Sequence, residues 1–322
     1  MQAARYTAYG GPESITFDDL PIPAPAAGEV LVRVRAAPVT AGDVRLRSGK
    51  VPRGLGLLLR LVVGLRRPRV APGFAFAGEV AGLGPGVHGF RPGDRVFGLT
   101  GIQGGAHRDY LTIPATGRIL PLPESLSFTA GAAFFFGGLT AAEFLIDKAR
   151  LRAHEHLLVM GSTGSVGGAA LQLGRHLGAR LSATASPANH ELARRLGAEV
   201  VTDYRQGIPP GPFDVIVDVM GSLGWQRARP LLARRGRLVL VTADLPAMLG
   251  AGLLPRSQGK RVIVGTGPET RERMERLVAL HRDGGYLPAV GPTLPFADLR
   301  QAHAIAETFH KPGNLVVVMD GP

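Results

Sequence analysis

Residues 161–173 read GSTGSVGGAALQL, with four glycines inside eight positions. Glycine within a regular element costs about 0.5–1 kcal/mol relative to alanine. So dense a run answers either to a very tight turn or to something that approaches the main chain closely. HLLVM (156–160) before it is a short apolar run and reads as a buried strand, and SVGGAALQLGRHLG (165–178) after it reads as a helix. Gly161, Gly164 and Gly167 therefore mark a strand-to-helix turn spaced G-x-x-G-x-x-G. Gly161 and Gly164 permit the turn and close backbone approach, and Gly167 lets helix and strand pack. A pyrophosphate fits the free N–H groups and positive end of such a helix, with hydroxyls from Ser162, Thr163 and Ser165 beside it. The usual dinucleotide spacing is G-x-G-x-x-G, and a bare turn without ligand is the alternative reading.

The surroundings favour the ligand. Outward from the loop the chain alternates strand and helix: ARLSATAS (179–186), ANHELARRLG (188–197), EVVTDY (199–204), FDVIVDVMG (213–221), a helix over WQRARPLLARRG (225–236), then RLVLVT (237–242) and KRVIVGT (260–266) as strands. That rhythm predicts a doubly wound parallel sheet covered on both faces. At the end of the second strand an NAD site usually places Asp or Glu for the ribose 2′-hydroxyl. Here the chain has Ala185-Ser186-Pro187, and the first acid, Glu191, falls inside the next helix. No carboxylate stands there to repel a 2′-phosphate. Ser186 and Asn189 are candidate donors to it, with Tyr204 and Arg205 as covering residues, so NADP(H) is favoured over NAD(H).

Residues 1–120 have a different texture. EVLVRVRAA (29–37), FAGEVAGLG (76–84) and DRVFGLT (94–100) alternate in period two between Gly/Pro turns, as antiparallel strands do. LPESLSFTAGAAFFFGGLTAAEFLIDKA (122–149) reads as helix, with a start between Ser127 and Ala130. After the doubly wound series come two helices, RERMERLVALHRDG (271–284) and PFADLRQAHAIAET (295–308), and a last strand, LVVVMD (315–320). The expected organisation is a β-rich domain over 1–120, a nucleotide domain over 121–266, and a return of 267–322 to the first domain.

Composition narrows the function classes. The 322 residues are 45% hydrophobic, which fits a globular chain. The start, MQAARYTAYGG, shows no apolar export segment, so a cytoplasmic location is expected. LGLLLRLVVGL (55–65) and AGAAFFFGGLTAAEFL (130–145) are shorter than the roughly 18–20 apolar residues of a membrane span. They read as core, pocket wall, lid or partner surface. The absence of cysteine excludes disulfides and thiolate zinc sites. The formal charge of +12 raises a nucleic-acid partner. However, the arginines are scattered except around RLRSGKVPR (45–53) and LRRPR (65–69), and no aromatic ladder interleaves them. A solvated basic surface is the better reading. His88, His107 and His303 read as isolated, either satisfied or exposed. His154-Glu155-His156 lacks a third metal ligand, and Asp203 and Asp218 read as structural.

The ordered set of motifs resembles the medium-chain dehydrogenase/reductase superfamily, in its zinc-free quinone-oxidoreductase-like branch. The resemblance is carried by AYGGPESITFDDLPIPAPAAGEVLVRVRAAPVTAGDVRLRSG (8–49), GEVAGLGPGVHGFRPGDRVFG (78–98), GGLTAAEFL (137–145), GSTGSVGGAALQLGRHLGA (161–179), LGAEVVTDY (196–204), FDVIVDVMG (213–221) and AHAIAETFHKPGNLVVVMD (302–320). It implies an α/β protein, a GroES-like β-rich catalytic domain interrupted by a Rossmann domain, with the active site in the cleft between them. It further implies NADPH-dependent, metal-free hydride transfer to a quinone or α,β-unsaturated carbonyl. The implied partners are a hydrophobic acceptor and a second copy of the chain, joined through KRVIVGT.

By the same resemblance, Gly161, Ser162, Thr163, Gly164, Val166 and Gly167 match the pyrophosphate loop. Ser186 and Tyr204 match the 2′-phosphate positions, Thr140 and Thr242 face the cofactor, and Gly313 with Asn314 closes over it. Three positions depart from the pattern. Val39-Thr40-Ala41-Gly42-Asp43 stands for V-N-P-x-D, Arg45 replaces a tyrosine, and Ala75 replaces an acid. Thr40 and Arg45 are the candidate catalytic residues. A zinc-free alcohol or carbonyl dehydrogenase, and an NADPH-binding sensor or nucleic-acid-binding protein with little turnover, remain the alternatives.

Overall fold

A computed structural model describes residues 1–251 and 257–319. The N-terminal part runs β1 (Gln2–Tyr6), β2 (Ile15–Asp19), β3 (Glu29–Val39), α1 (Ala41–Ser48), α2 (Gly56–Val63), β4 (Ala75–Leu83), β5 (Arg95–Leu99), β6 (Tyr110–Pro114) and β7 (Ile119–Pro121). α3 (Phe128–Ala142) leads into β8 (His156–Met160), α4 (Ser165–His176), β9 (Arg180–Ala185), α5 (His190–Arg195), β10 (Val200–Asp203), β11 (Phe213–Asp218), α6 (Trp225–Ala228), β12 (Leu232–Leu240), α7 (Leu245–Gly250) and β13 (Arg261–Ile263). α8 (Arg271–Arg282), β14 (Val290–Pro295), α9 (Leu299–Glu307) and β15 (Asn314–Val318) follow.

Two sheets carry the molecule. One has the order β14-β15-β3-β4-β5-β7, with β6 also on β3. β3 shows why it forms: Val30, Val32, Val34 and Ala36 are buried, while Glu29, Leu31, Arg33 and Arg35 between them are only partly covered. Period-two patterning of this kind gives a strand one apolar face. The other sheet is all parallel, in the order β10-β9-β8-β11-β12-β13. Its order reverses at β8, between β9 and β11, and the crevice at such a switch point is where doubly wound folds bind ligands. The fold is thus a GroES-like β-rich domain plus a doubly wound parallel-sheet domain.

α3 joins them. Ser127 caps it, accepting from Ala130 N at 3.2 Å. The helix continues as a π-helical stretch over Glu143–Lys148. At 21 residues it is longer than the apolar run suggested, and by length and composition it could cross a bilayer. In this fold it is a core helix: 67% of its most apolar window is buried. Phe134 meets Phe97 of β5 edge-on at 5.4 Å between ring centres and Phe135 lies tilted against it at 4.5 Å, in one cluster that includes Leu157 and Val159 of β8. Glu143, nearly buried, binds Lys148 at 2.9 Å, Arg273 of α8 at 3.2 Å and Gly267 N at 2.5 Å.

Two local readings are corrected. The helix expected over 225–236 lasts one turn, because Pro230 cannot sit inside a helix. The chain passes through a 3-10 turn at Arg229–Leu231 and enters β12 at buried Leu232. The segment between its two stretches of pairing with β11 is irregular, with Arg235 at φ 63°. Conversely, α1 and α2 form in a stretch that carried no helix expectation.

Candidate active site

The glycine loop lies at the C-terminal end of β8. Gly161 takes φ 74°, in the left-handed region that favours glycine. A Cβ on Gly167 would run into Gly161 O, so that glycine is needed for helix and turn to pack. A Cβ on Gly164 would meet only Gly161 O, at 3.8 Å, leaving open space over the first turn of α4. That cradle, beneath free N–H groups and a positive helix end, fits a pyrophosphate. Ser162 is fully buried and donates to Thr184 O at 3.0 Å, so its hydroxyl shapes the loop from below. Thr163 and Val166 are also buried.

The clamp on this loop comes from β15. Gly313 N donates to Thr163 O at 2.7 Å, and Gly313 bridges Gly164. Ser165 Oγ donates to Asn314 Oδ1, and Asn314 Nδ2 donates to Ala289 O at 3.0 Å. Asn314 thus fastens the helix start to the other domain, with its side chain engaged on both sides. Lys311, which sequence reasoning missed, donates to Gly313 O at 2.9 Å, and burial lowers its ammonium pKa to about 8. Only its place two residues before Gly313 could have drawn attention to it.

At the end of β9, Ser186 and Asn189 are bonded to each other, Nδ2 to Oγ, at 3.2 Å. Tyr204 is 47% exposed. Arg205 is engaged by Asp203. Its Nε and Nη2 grip Asp203 at 3.1 and 2.8 Å, and that grip holds the carboxyl pKa below its ordinary value. Asp203 pairs in register with Ala185, so this ion pair sits beside the expected 2′-phosphate site.

Across the cleft, Arg45 of α1 donates to Thr242 Oγ1 at 2.9 Å. Burial lowers the guanidinium pKa from its ordinary value. Thr40 is a buried helix cap. It donates to Asp43 Oδ2 at 2.6 Å and accepts from Asp43 N at 3.3 Å, in a capping box that the spacing T-x-x-D encodes. With its proton on Asp43, the Thr40 hydroxyl is placed to hold α1 and has none directed at a substrate. Asp43 also accepts from Gly73 N at 3.0 Å. Phe136 of α3 walls the same space, 3.8 Å from where a Cβ on Gly42 would lie. Thr140, one turn on, bonds back to Phe136 O at 2.8 Å. Ala75, where the resembling family has an acid, is buried in β4 opposite Leu99.

The histidines depart from expectation. His107 and His303 are both buried, with ring centres 6.0 Å apart and perpendicular. His107 bonds Pro38 O at 3.1 Å, while neither His303 ring nitrogen has a partner among the described residues. Glu155, between His154 and His156, is gripped by Arg237 at 2.8 and 2.6 Å. Among the described residues no group of three or more His, Asp or Glu side chains could hold a metal ion. Asp218 is structural, accepting from Met220, Gly221 and Leu223 N–H groups, although burial raises its pKa.

Comparison with known proteins agrees with this arrangement. Residues 26–124 match the alcohol dehydrogenase GroES-like domain, and residues 196–317 match the zinc-binding dehydrogenase domain. A mouse (Mus musculus) quinone oxidoreductase is 28% identical over 99% of this chain and 98% of its own length. The solved quinone oxidoreductase of Coxiella burnetii superposes with a TM-score of 0.85 at 25% identity, covering 99% of each chain. A mycobacterial protein solved in complex with NADPH gives 0.78 at 26% identity, again over 99% of each chain.

Proposed function

Since the chain belongs to the medium-chain dehydrogenase/reductase superfamily, on its quinone-oxidoreductase-like branch, and is an oxidoreductase, we propose that it transfers hydride from NADPH to a quinone or α,β-unsaturated carbonyl without a metal. The observation that carries this reading is the open cradle over Gly164 at the sheet's switch point, clamped by Gly313.

In this reading the first turn of α4 holds the pyrophosphate. Ser186, Asn189 and Tyr204 surround the 2′-phosphate, with no free carboxylate to oppose it. Bound NADPH supplies the hydride. The protein's part is to orient the acceptor and exclude water. Phe136 gives the acceptor an apolar wall, and Thr140 lies on the side of the nicotinamide. Arg45 and Thr242 draw the cleft walls together and leave a cation facing the acceptor oxygen. The proton that follows hydride comes from solvent, because Thr40 has its own proton engaged with Asp43. The lack of cysteine and of any convergent ligand cluster among the described residues supports metal independence. We place the enzyme in the cytoplasm as a homodimer joined through β13, which forms an edge of the parallel sheet.

Calorimetric titration with NADPH and with NADH, followed by NADPH consumption with a naphthoquinone, tests this. NADPH bound at least about tenfold more tightly, about 1.4 kcal/mol, together with turnover supports it. NADPH binding without turnover would instead favour a sensor, and no binding would overturn the reading.

A further inference from the structure

We propose that α2 and the basic chain around it form a docking face for an anionic lipid bilayer. α2 is turned the opposite way from an ordinary surface helix. Val63 faces inward, Gly64 O accepts from Tyr9 at 2.6 Å, and Arg60 lies over the Tyr9 ring at 5.2 Å. The outward side carries Leu57, Leu58, Leu61 and Val62, which are 56–70% exposed, and Leu65 follows at 61%. At 3.6 residues per turn those four helical positions fall within an arc of about 140°. Such a stripe of aliphatic side chains in water is an unmet burial.

The flanking charge identifies what covers it. Between Asp43 and Glu79 there is no acidic residue, while Lys50, Arg53, Arg60, Arg66, Arg67 and Arg69 frame the helix. Arg66, Arg67 and Arg69 have no acidic partner among the described residues. Arg67 and Arg69 also line a cavity of about 370 Å³ with Arg108, whose buried Nε is unpartnered, and with the Arg5–Asp18 pair. Leucines that enter the acyl boundary, ringed by arginines at headgroup level, are the arrangement of an interfacial helix. A second copy fits poorly, because a two-fold contact would set these cations against themselves. Nucleic acid fits poorly too, because the exposed side chains of the stripe are aliphatic and offer bases nothing to stack on.

The face adjoins the cleft. Leu245 N donates to Arg53 O at 3.0 Å, Arg53 pairs with Asp244 at 3.2 Å, and α7 beyond them exposes Met248 and Leu249. A lipid-dissolved acceptor would then have a short path into the site.

The test is flotation of the full chain with vesicles of phosphatidylcholine alone and of phosphatidylcholine with phosphatidylglycerol, at low and high salt. Capture by the mixed vesicles, weakened by salt, is expected. Arg66→Gln/Arg67→Gln should weaken it about fivefold per charge, and Leu57→Gln/Leu61→Gln should abolish it with the unfolding midpoint unchanged. The charge variant keeps the test decisive if the leucine variant misfolds. No capture of wild type by mixed vesicles overturns the proposal. So does a leucine variant that folds and still floats, a dimer by light scattering that the leucine variant dissociates while wild type ignores vesicles, or RNA that displaces the protein from them. The readout is binding alone, so it stands whatever the acceptor proves to be.

Discussion

Arg45 Nη2 and Thr242 Oγ1 lie 2.9 Å apart, although 197 positions separate them in the chain. One belongs to the helix that follows β3 and the other to the turn after β12, so this bond is a direct tie across the cleft. The next ties along the rim are the Arg53–Asp244 ion pair and the bond from Leu245 N to Arg53 O.

Removing the tie should be felt in turnover more than in folding. Arg45→Ala is expected to lower kcat/KM for a quinone about tenfold, about 1.4 kcal/mol. Thr242→Val keeps the cation and should lower it only about threefold. Steady-state kinetics on both variants check this, and equal losses would mean that the cation itself contributes nothing.

The loop glycines separate stability from binding. Gly167→Ala forces a methyl into Gly161 O and should cost about 1–3 kcal/mol, seen as a lower urea midpoint. Gly164→Ala has φ −80° and room behind it, so it should fold normally. Its methyl enters the proposed pyrophosphate cradle and should weaken NADPH about tenfold by calorimetry.

Cofactor choice should turn on one side chain. Ser186→Asp places a carboxylate at the end of β9, where it repels a 2′-phosphate and accepts from a 2′-hydroxyl. NADPH affinity should fall at least about tenfold while NADH affinity rises. Unchanged selectivity would move the 2′-phosphate away from Ser186.

Acid should loosen the β-rich domain through His303. Burial, followed by the charges of His107 and Arg47, pushes its pKa well below the ordinary 6.5. The unfolded chain takes up a proton near the ordinary value and the folded chain resists it. This contribution to stability is therefore complete above about pH 6.5 and declines as pH falls below it, by about 1.4 kcal/mol per pH unit. His107, whose pKa burial also lowers, adds in the same direction. Urea midpoints at neutral and mildly acid pH measure the slope, and His303→Leu should reduce it.

What could be read from residues alone follows the range of the interactions. The strand, turn and helix around Gly161 are contiguous, and their periodicities change where the glycines fall. The Thr40–Asp43 cap was equally local, but its helix spans only Ala41–Ser48 and shows little apolar periodicity, so it went unread. Over 225–236, leucines and arginines at helical spacing outweighed Pro230, and parallel pairing to β11 decided otherwise. Arg45 with Thr242 and Ser165 with Asn314 meet only because the chain crosses between two sheets, and His107 with His303 only because α9 returns to the first. No local pattern records those meetings.

The clamp on the glycine loop also has a bearing on biosynthesis. Ser165 waits for Asn314, 149 residues downstream. A nascent chain on the ribosome will have built β8 and the first turn of α4 long before β15 is translated. The seat proposed for the nucleotide is therefore completed among the last parts of the fold, and a chain stalled short of residue 313 would hold a parallel sheet with that seat unfinished.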